Sequence, residues 1–177
     1  MGRLIRESTQ ILLDHYHVND TVEHAMQHKI DALEKLWPTA KPLPGAFRIL
    51  KYLKSHNIPI ALATSTTHAV FKQKMETQKE LLSYFSAIVL GDDVKRAKPF
   101  PDIFVEAGKA LGCTDMAEAV VFEDAVLGVE AGLASGAFTI AIPDFTHDID
   151  EYFSKANLIL KSLDEFKPEI LGLPQDY

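Results

Sequence analysis

Five short apolar runs, at residues 58–63, 87–90, 119–122, 137–142 and 158–160, are separated by stretches of helical character, and this pattern restricts the chain to few folds. A strand with one wet face alternates apolar and polar residues, whereas a run apolar at nearly every position is a strand covered on both faces. Such strands are parallel, and parallel neighbours need helical crossovers. The expected fold is therefore α/β, a doubly wound parallel sheet whose ligand crevice lies at the carboxyl ends of the strands. No internal repeat and no low-complexity tract competes with this reading.

Ahead of the first run, Leu4, Ile5, Ser8, Ile11, Leu12 and Tyr16 recur at helical spacing, as do Val22, Met26, Ile30, Leu33 and Trp37. Two helices are predicted to open the chain as a hairpin. Asp20 is the expected N-cap of the second, with Glu23 three residues on completing a capping box. Residues 38–44 read as a linker, and Pro44-Gly45 starts a third amphipathic helix that runs to Asn57.

Composition narrows the function. Of 177 residues, 47% are hydrophobic and 24% charged, enough apolar material for one α/β domain with a small appended subdomain. Lys and Arg number 18 against 25 acidic residues, and a net charge of -7 argues against a sequence-independent grip on nucleic acid or on an anionic membrane. The single Cys113 excludes an intrachain disulfide and a thiolate zinc site. No apolar run approaches the roughly 20 residues of a membrane span, and the opening residues lack a signal-peptide h-region. A cytoplasmic setting is the expectation.

In a doubly wound sheet the chemistry follows the strand ends, and three of them carry polar residues. Thr64-Ser65-Thr66-Thr67 opens a helix after the first run, where hydroxyls and free N–H groups can hold a phosphoryl oxygen or simply cap the helix. Lys98, in Lys98-Pro99-Phe100-Pro101-Asp102, is stiffened by two prolines and can neutralise a phosphate, although a lone lysine is ordinarily solvated. Glu123-Asp124 follows the third run. Two adjacent carboxylates either share a cation such as Mg²⁺ or form an acidic helix start, while Gly128, Gly132 and Gly136 let that helix lie close to the sheet. A hydroxyl, a lysine and an acid pair at successive strand ends together supply the charge neutralisation and positioning that phosphoryl transfer requires.

Three of these stretches resemble motifs of the haloacid dehalogenase superfamily of magnesium-dependent phosphatases: Ala61-Leu62-Ala63-Thr64-Ser65, Lys98-Pro99-Phe100-Pro101-Asp102-Ile103-Phe104 and Val121-Phe122-Glu123-Asp124-Ala125-Val126-Leu127-Gly128. Within it the chain is most similar to the branch containing pseudouridine-5'-phosphatase, through Leu43-Pro44-Gly45-Ala46, Leu90-Gly91-Asp92-Asp93 and the Gly172-Leu173-Pro174 tail. The resemblance implies a Rossmann-like core at residues 41–177 and a partial helical cap at 1–40. It further implies that Thr64 and Ser65 bind the phosphoryl group, that Lys98 and Thr64 are catalytic and that Glu123 and Asp124 hold Mg²⁺. The implied partner is a small phosphorylated metabolite such as pseudouridine 5'-phosphate or a sugar monophosphate. His68 carries no support from the pattern.

The family's first motif, an Asp-x-Asp turn after a central first strand, has no counterpart here. The sole Asp-x-Asp is Asp148-Ile149-Asp150, after no apolar strand, and it reads as a loop or helix start. In the family the first aspartate attacks phosphorus and the second protonates the leaving oxygen. The expectation is thus an N-terminally truncated phosphatase chain, inactive or nearly so alone, whose sheet has a central gap and tends to associate through it. The alternative is a pseudophosphatase that binds a phosphorylated ligand or a protein partner.

Overall fold

The computed structural model describes residues 5–143 and 153–175. The Asp148-Ile149-Asp150 stretch lies outside them. Helices α1 (Ile5–His15) and α2 (Val22–Glu34) pack against each other as the expected hairpin, with Leu13 and Val22 buried. The cap differs from the sequence reading. Thr21, in extended conformation (φ -84°, ψ 149°), is the N-cap, and its Oγ1 accepts the His24 N–H at 3.2 Å. Asp20 sits one residue outside, accepts the Thr21 N–H at 2.7 Å, and leaves Glu23 to pair with Arg6 instead of closing a capping box.

Helix α3 (Ala46–Ser55) starts after Gly45, as Pro44-Gly45 predicts, and buries Ile49, Leu50 and Tyr52. It also anchors the end of the chain. The Arg48 guanidinium donates to the Leu163 and Asp164 carbonyls at 3.2 and 2.7 Å, and the Tyr52 hydroxyl donates to the Pro174 carbonyl at 2.8 Å.

All five apolar runs contain strands: β1 (Ala61–Thr64), β2 (Ala87–Leu90), β3 (Val120–Glu123), β4 (Phe138–Ala141) and β5 (Leu158–Ile159). The first run is only partly strand. Asn57 turns at φ 56° and the Ile58 N–H returns to the Leu53 carbonyl at 2.9 Å, so the chain is still leaving α3 where the apolar pattern begins. Between strands come α4 (His68–Lys74), α5 (Lys79–Leu82), α6 (Asp102–Ala110) and α7 (Val126–Ser135).

Every strand pairing is parallel, with Ala61 opposite Ala87, Val120 opposite Phe138 and Ile140 opposite Leu158. The strands form two sheets among the described residues, β1-β2 and β3-β4-β5. One edge of β1 and one edge of β3 therefore pair with no described strand. All four residues of β1 are only half-buried.

Helices cover both faces, as alternation along β3 shows. Val121 packs with Ile103, Phe104 and Ala107 of α6, Val89 of β2 and Ala131 of α7 in one cluster that spans both sheets. Val120 and Phe122 point the other way, towards Ile49 of α3, Ile140, Leu160 and Phe166. Gly132 of α7 serves close packing as expected, since a Cβ there would lie 2.7 Å from Thr139 Oγ1, whereas Gly136 is the left-handed C-cap of α7 at φ 90° and a Cβ there would meet nothing closer than 3.8 Å. No helix among the described residues is long and apolar enough to cross a membrane.

Phe166 is 1% exposed and meets Phe122 edge-on at 5.2 Å between ring centroids. Phe166→Ala is expected to cost about 3–5 kcal/mol, by lost burial and a residual cavity. Urea denaturation monitored by circular dichroism checks this; a loss below about 1 kcal/mol would show that the C-terminal segment is not part of the core.

Candidate active site

The period-two alternation that turns Val121 towards α6 and α7 also turns Glu123 that way, beneath the start of α7. Its carboxylate is buried and receives three donors. Oε1 pairs with the Lys98 ammonium, and Oε2 accepts the N–H groups of Asp124 at 3.2 Å and Ala125 at 3.3 Å. Burying a carboxylate is costly unless its lone pairs are satisfied, and here they are. The space comes from Gly128: a Cβ there would stand 2.1 Å from Glu123 Cδ. Gly128 is thus a site residue, whereas the small-residue pattern assigned it to packing alone.

Lys98 is as enclosed as its partner, with side-chain exposures of 6% and 7% for the pair. Its ammonium also lies 4.8 Å from the Phe104 ring centroid, on the first turns of α6. The loop that delivers it is braced nearby. Arg96 grips Asp102 with Nε and Nη2, at 3.0 and 2.6 Å from Oδ1, and stacks over Phe100 at 4.6 Å. This guanidinium holds the Asp102 carboxyl below its ordinary range. The fixed direction expected for Lys98 is present in its contacts with Glu123 and Phe104.

Thr64 ends β1, and its hydroxyl donates to Thr66 Oγ1 at 3.0 Å while accepting the Thr66 N–H at 3.3 Å. Ser65 lies between them with its carbonyl against Gly91. The helix begins later than expected, at His68. Its first N–H is already held, because His68 N donates to Asp92 Oδ2 at 3.0 Å. The expectation that Thr64 to Thr67 open the helix and offer its free N–H groups is corrected accordingly. Hydroxyls remain at this strand end, but the N–H groups of Thr66 and His68 have protein acceptors.

The structure adds a cluster that sequence reasoning passed over. His68 Nε2 lies 2.8 Å from Asp93 Oδ1, and Asp93 Oδ2 accepts the Leu90 N–H at 2.8 Å. Parallel pairing of β1 with β2 sets the residues after each strand side by side, which is the signal that could have joined His68 to Asp92-Asp93. The hydrogen bond to Asp93, with the charges of Asp93 and Asp92, holds the His68 imidazolium above the ordinary histidine range. The Leu90 N–H and His68 together hold Asp93 below its own.

Asp124 differs from Glu123: it is exposed, and its carboxylate has no hydrogen bond or ion pair among the described residues. Mg²⁺ takes one or two carboxylates and keeps several waters, so a free Asp124 beside the committed Glu123 fits such an ion. Among the described residues no group of three or more His, Cys, Asp or Glu side chains converges. Lys98 and Glu123 are thus brought into contact, Asp124 adjoins them, and Thr64 and Ser65 stand at the end of β1, where Thr64 bonds to Thr66.

The family model described as haloacid dehalogenase-like hydrolase matches residues 1–142. The chain belongs to the haloacid dehalogenase-like hydrolases. It is 37% identical over 180 aligned residues to (DL)-glycerol-3-phosphatase 1, mitochondrial, of Arabidopsis thaliana, covering 98% of this chain and 60% of that protein's length. It is 33% identical to a probable pseudouridine-5'-phosphatase of Drosophila melanogaster, covering 98% of this chain and 77% of the relative. Among solved structures, a putative beta-phosphoglucomutase from Thermotoga maritima superposes with a TM-score of 0.73 at 27% identity, covering 93% of this chain and 76% of that one. The Rossmann-like fold and the phosphatase family expected from the sequence both stand.

Two outcomes are expected of this haloacid dehalogenase-like hydrolase. Lys98→Met leaves the Glu123 carboxylate buried without its partner and should destabilise the chain by about 3–5 kcal/mol, with much of this recovered in Lys98→Met/Glu123→Gln. Chemical denaturation of the four proteins of that cycle measures it. The raised His68 and lowered Asp93 pKa values give a window of pH stability. The contribution of His68 is complete below the unfolded histidine pKa and fades as pH rises through the folded one. That of Asp93 is present above the unfolded aspartate pKa and fades as pH falls through the folded one. NMR titration of the His68 ring should show a midpoint above about 6.5 that falls in Asp93→Asn.

Proposed function

We propose that this chain carries the phosphate-holding and metal-holding half of a phosphomonoesterase acting on a nucleoside or sugar monophosphate. The observation that carries the proposal is the buried Lys98–Glu123 pair at a strand end with a free Asp124 beside it. An ammonium has three donors. Glu123 engages one, which leaves Lys98 able to donate to a phosphoryl oxygen, and Thr64 and Ser65 bring hydroxyls at the end of β1. Mg²⁺, held by Asp124 and Glu123 with waters, would neutralise charge on the phosphoryl oxygens when bound. Residues 1–40 act as a partial helical cap and 41–177 as the core. A cytoplasmic setting suits the single cysteine and acidic charge.

The covalent step needs a carboxylate nucleophile on the phosphorus and a second acid to protonate the leaving oxygen. No Asp-x-Asp follows an apolar strand in these 177 residues. By themselves they are therefore expected to bind phosphate and turn over little or none of it. The edges of β1 and β3 that pair with no described strand favour association, as unpaired strand edges do. Substrate class rests on the relatives, whose names include glycerol 3-phosphate and pseudouridine 5'-phosphate phosphatases.

The non-catalytic reading, a binder of phosphorylated ligands, rests on the same retained groups and the same Asp-x-Asp observation. Phosphate release with Mg²⁺ from pseudouridine 5'-phosphate, glycerol 3-phosphate and an aryl phosphate, with thermal melts alongside, tests the retained site that both readings share. The expected result is a melting temperature raised by Mg²⁺ in the wild type and unmoved in Asp124→Asn, with negligible phosphate release. Turnover abolished by Lys98→Ala would overturn the incomplete-site reading, and equal Mg²⁺ stabilisation in Asp124→Asn would overturn the metal assignment.

A further inference from the structure

On the helical hairpin, away from the strand ends, His24 and His28 stand four residues apart on α2 and so share one face. Their Nε2 atoms are 3.1 Å apart, and the rings meet edge to face at 4.4 Å between centroids. Both are exposed, so neither is a core histidine meeting a buried partner. The other nitrogen of His24 is already committed: Nδ1 lies 2.8 and 2.9 Å from the two oxygens of Asp20, which is itself fixed by the Thr21 N–H at 2.7 Å. A carboxylate acceptor places the ring proton on Nδ1 and leaves the lone pair on Nε2, aimed at His28.

We propose that Nε2 of His24 and Nε2 of His28 chelate a borderline divalent transition metal such as Zn²⁺, with Asp20 as the outer carboxylate that orients His24. Zinc–imidazole bonds of about 2.0–2.1 Å to two nitrogens 3.1 Å apart close an N–Zn–N angle of about 100°, near tetrahedral. The carboxylate–histidine–metal relay is the arrangement that fixes tautomer and ring direction in zinc sites. No third protein side chain joins the cluster among the described residues, so water or an external ligand fills the remaining positions. On binding, the neutral His28 ring moves its Nε2 proton to its own Nδ1 by exchange through solvent, which frees the Nε2 lone pair with no net proton release, and the two imidazoles displace two metal-bound waters. Imidazole nitrogens select Zn²⁺ over Mg²⁺, which separates this site from the all-oxygen pair Glu123-Asp124. The ion would tie together the first two turns of α2, beside the Arg6–Glu23 pair that joins the two helices.

The test is calorimetric titration of the full chain with Zn²⁺ in excess Mg²⁺, paired with NMR of the histidine rings. One ion per chain is expected, shifting the His24 and His28 rings first. His24→Gln or His28→Gln should abolish that event, and Asp20→Asn should weaken it roughly 10–100-fold. Unchanged zinc affinity in His28→Gln, first shifts at His15, His17 or His68, or no binding by the folded wild type would each overturn the proposal. The ring shifts are read on the wild type, so the assignment is decided even where a variant folds poorly.

Discussion

The ion pair between Lys98 and Glu123 ties together two halves that share no hydrogen-bonded strands among the described residues. Lys98 belongs to the loop that leaves β2 and enters α6, and Glu123 terminates β3. Their contact thus links the two-stranded sheet to the three-stranded one at the end where each strand hands over to its helix. The apolar cluster of Val89, Phe104 and Val121 makes the same link beneath it. A buried ion pair is a weak source of net stability, because desolvation offsets most of the attraction. What the pair presents at this position is directed charge, two enclosed groups of opposite sign beside an exposed aspartate.

Around that pair, small residues determine what fits. Glu123 can turn beneath α7 because Gly128 leaves the room, and α7 can approach β3 and β4 because Gly132 does the same one turn later. Packing and chemistry are therefore not separate layers here. The spacing that reads as a helix seated close on a sheet is also what admits the carboxylate. At the neighbouring strand ends, Asp92 and Asp93 tie the start of α4 to the end of β2, so the His68 turn is held by charge and hydrogen bonds instead of burial.

The helical hairpin follows other rules. Its apolar stripe is only partly covered: Leu13 and Val22 are buried, while Ile11, Leu12, Tyr16 and Val18 stand substantially exposed. Its polar face is organised by local contacts, Asp20 with His24, His24 with His28, and Arg6 with Glu23. Sequence reasoning placed both helices but chose Asp20 as the cap, since Asp and Thr are both good caps and the choice between neighbours depends on which backbone is extended.

Local pattern determined much of this protein. Apolar runs without alternation gave the five parallel strands, helical spacing gave α1, α2 and α3, and the order of Thr64, Lys98 and Glu123-Asp124 placed these polar residues after successive strands. These features are legible because each depends on neighbours within a few residues. What tertiary structure alone decided involves partners far apart in the chain. Lys98 meets Glu123 across 25 residues, and His68 meets Asp93 across the same separation. The division of the strands into two sheets, and the end of β1 being tied into its own Thr64–Thr66 turn, likewise depend on which edges find partners. Periodicity shows which way a side chain faces, but only the packed chain determines what it faces.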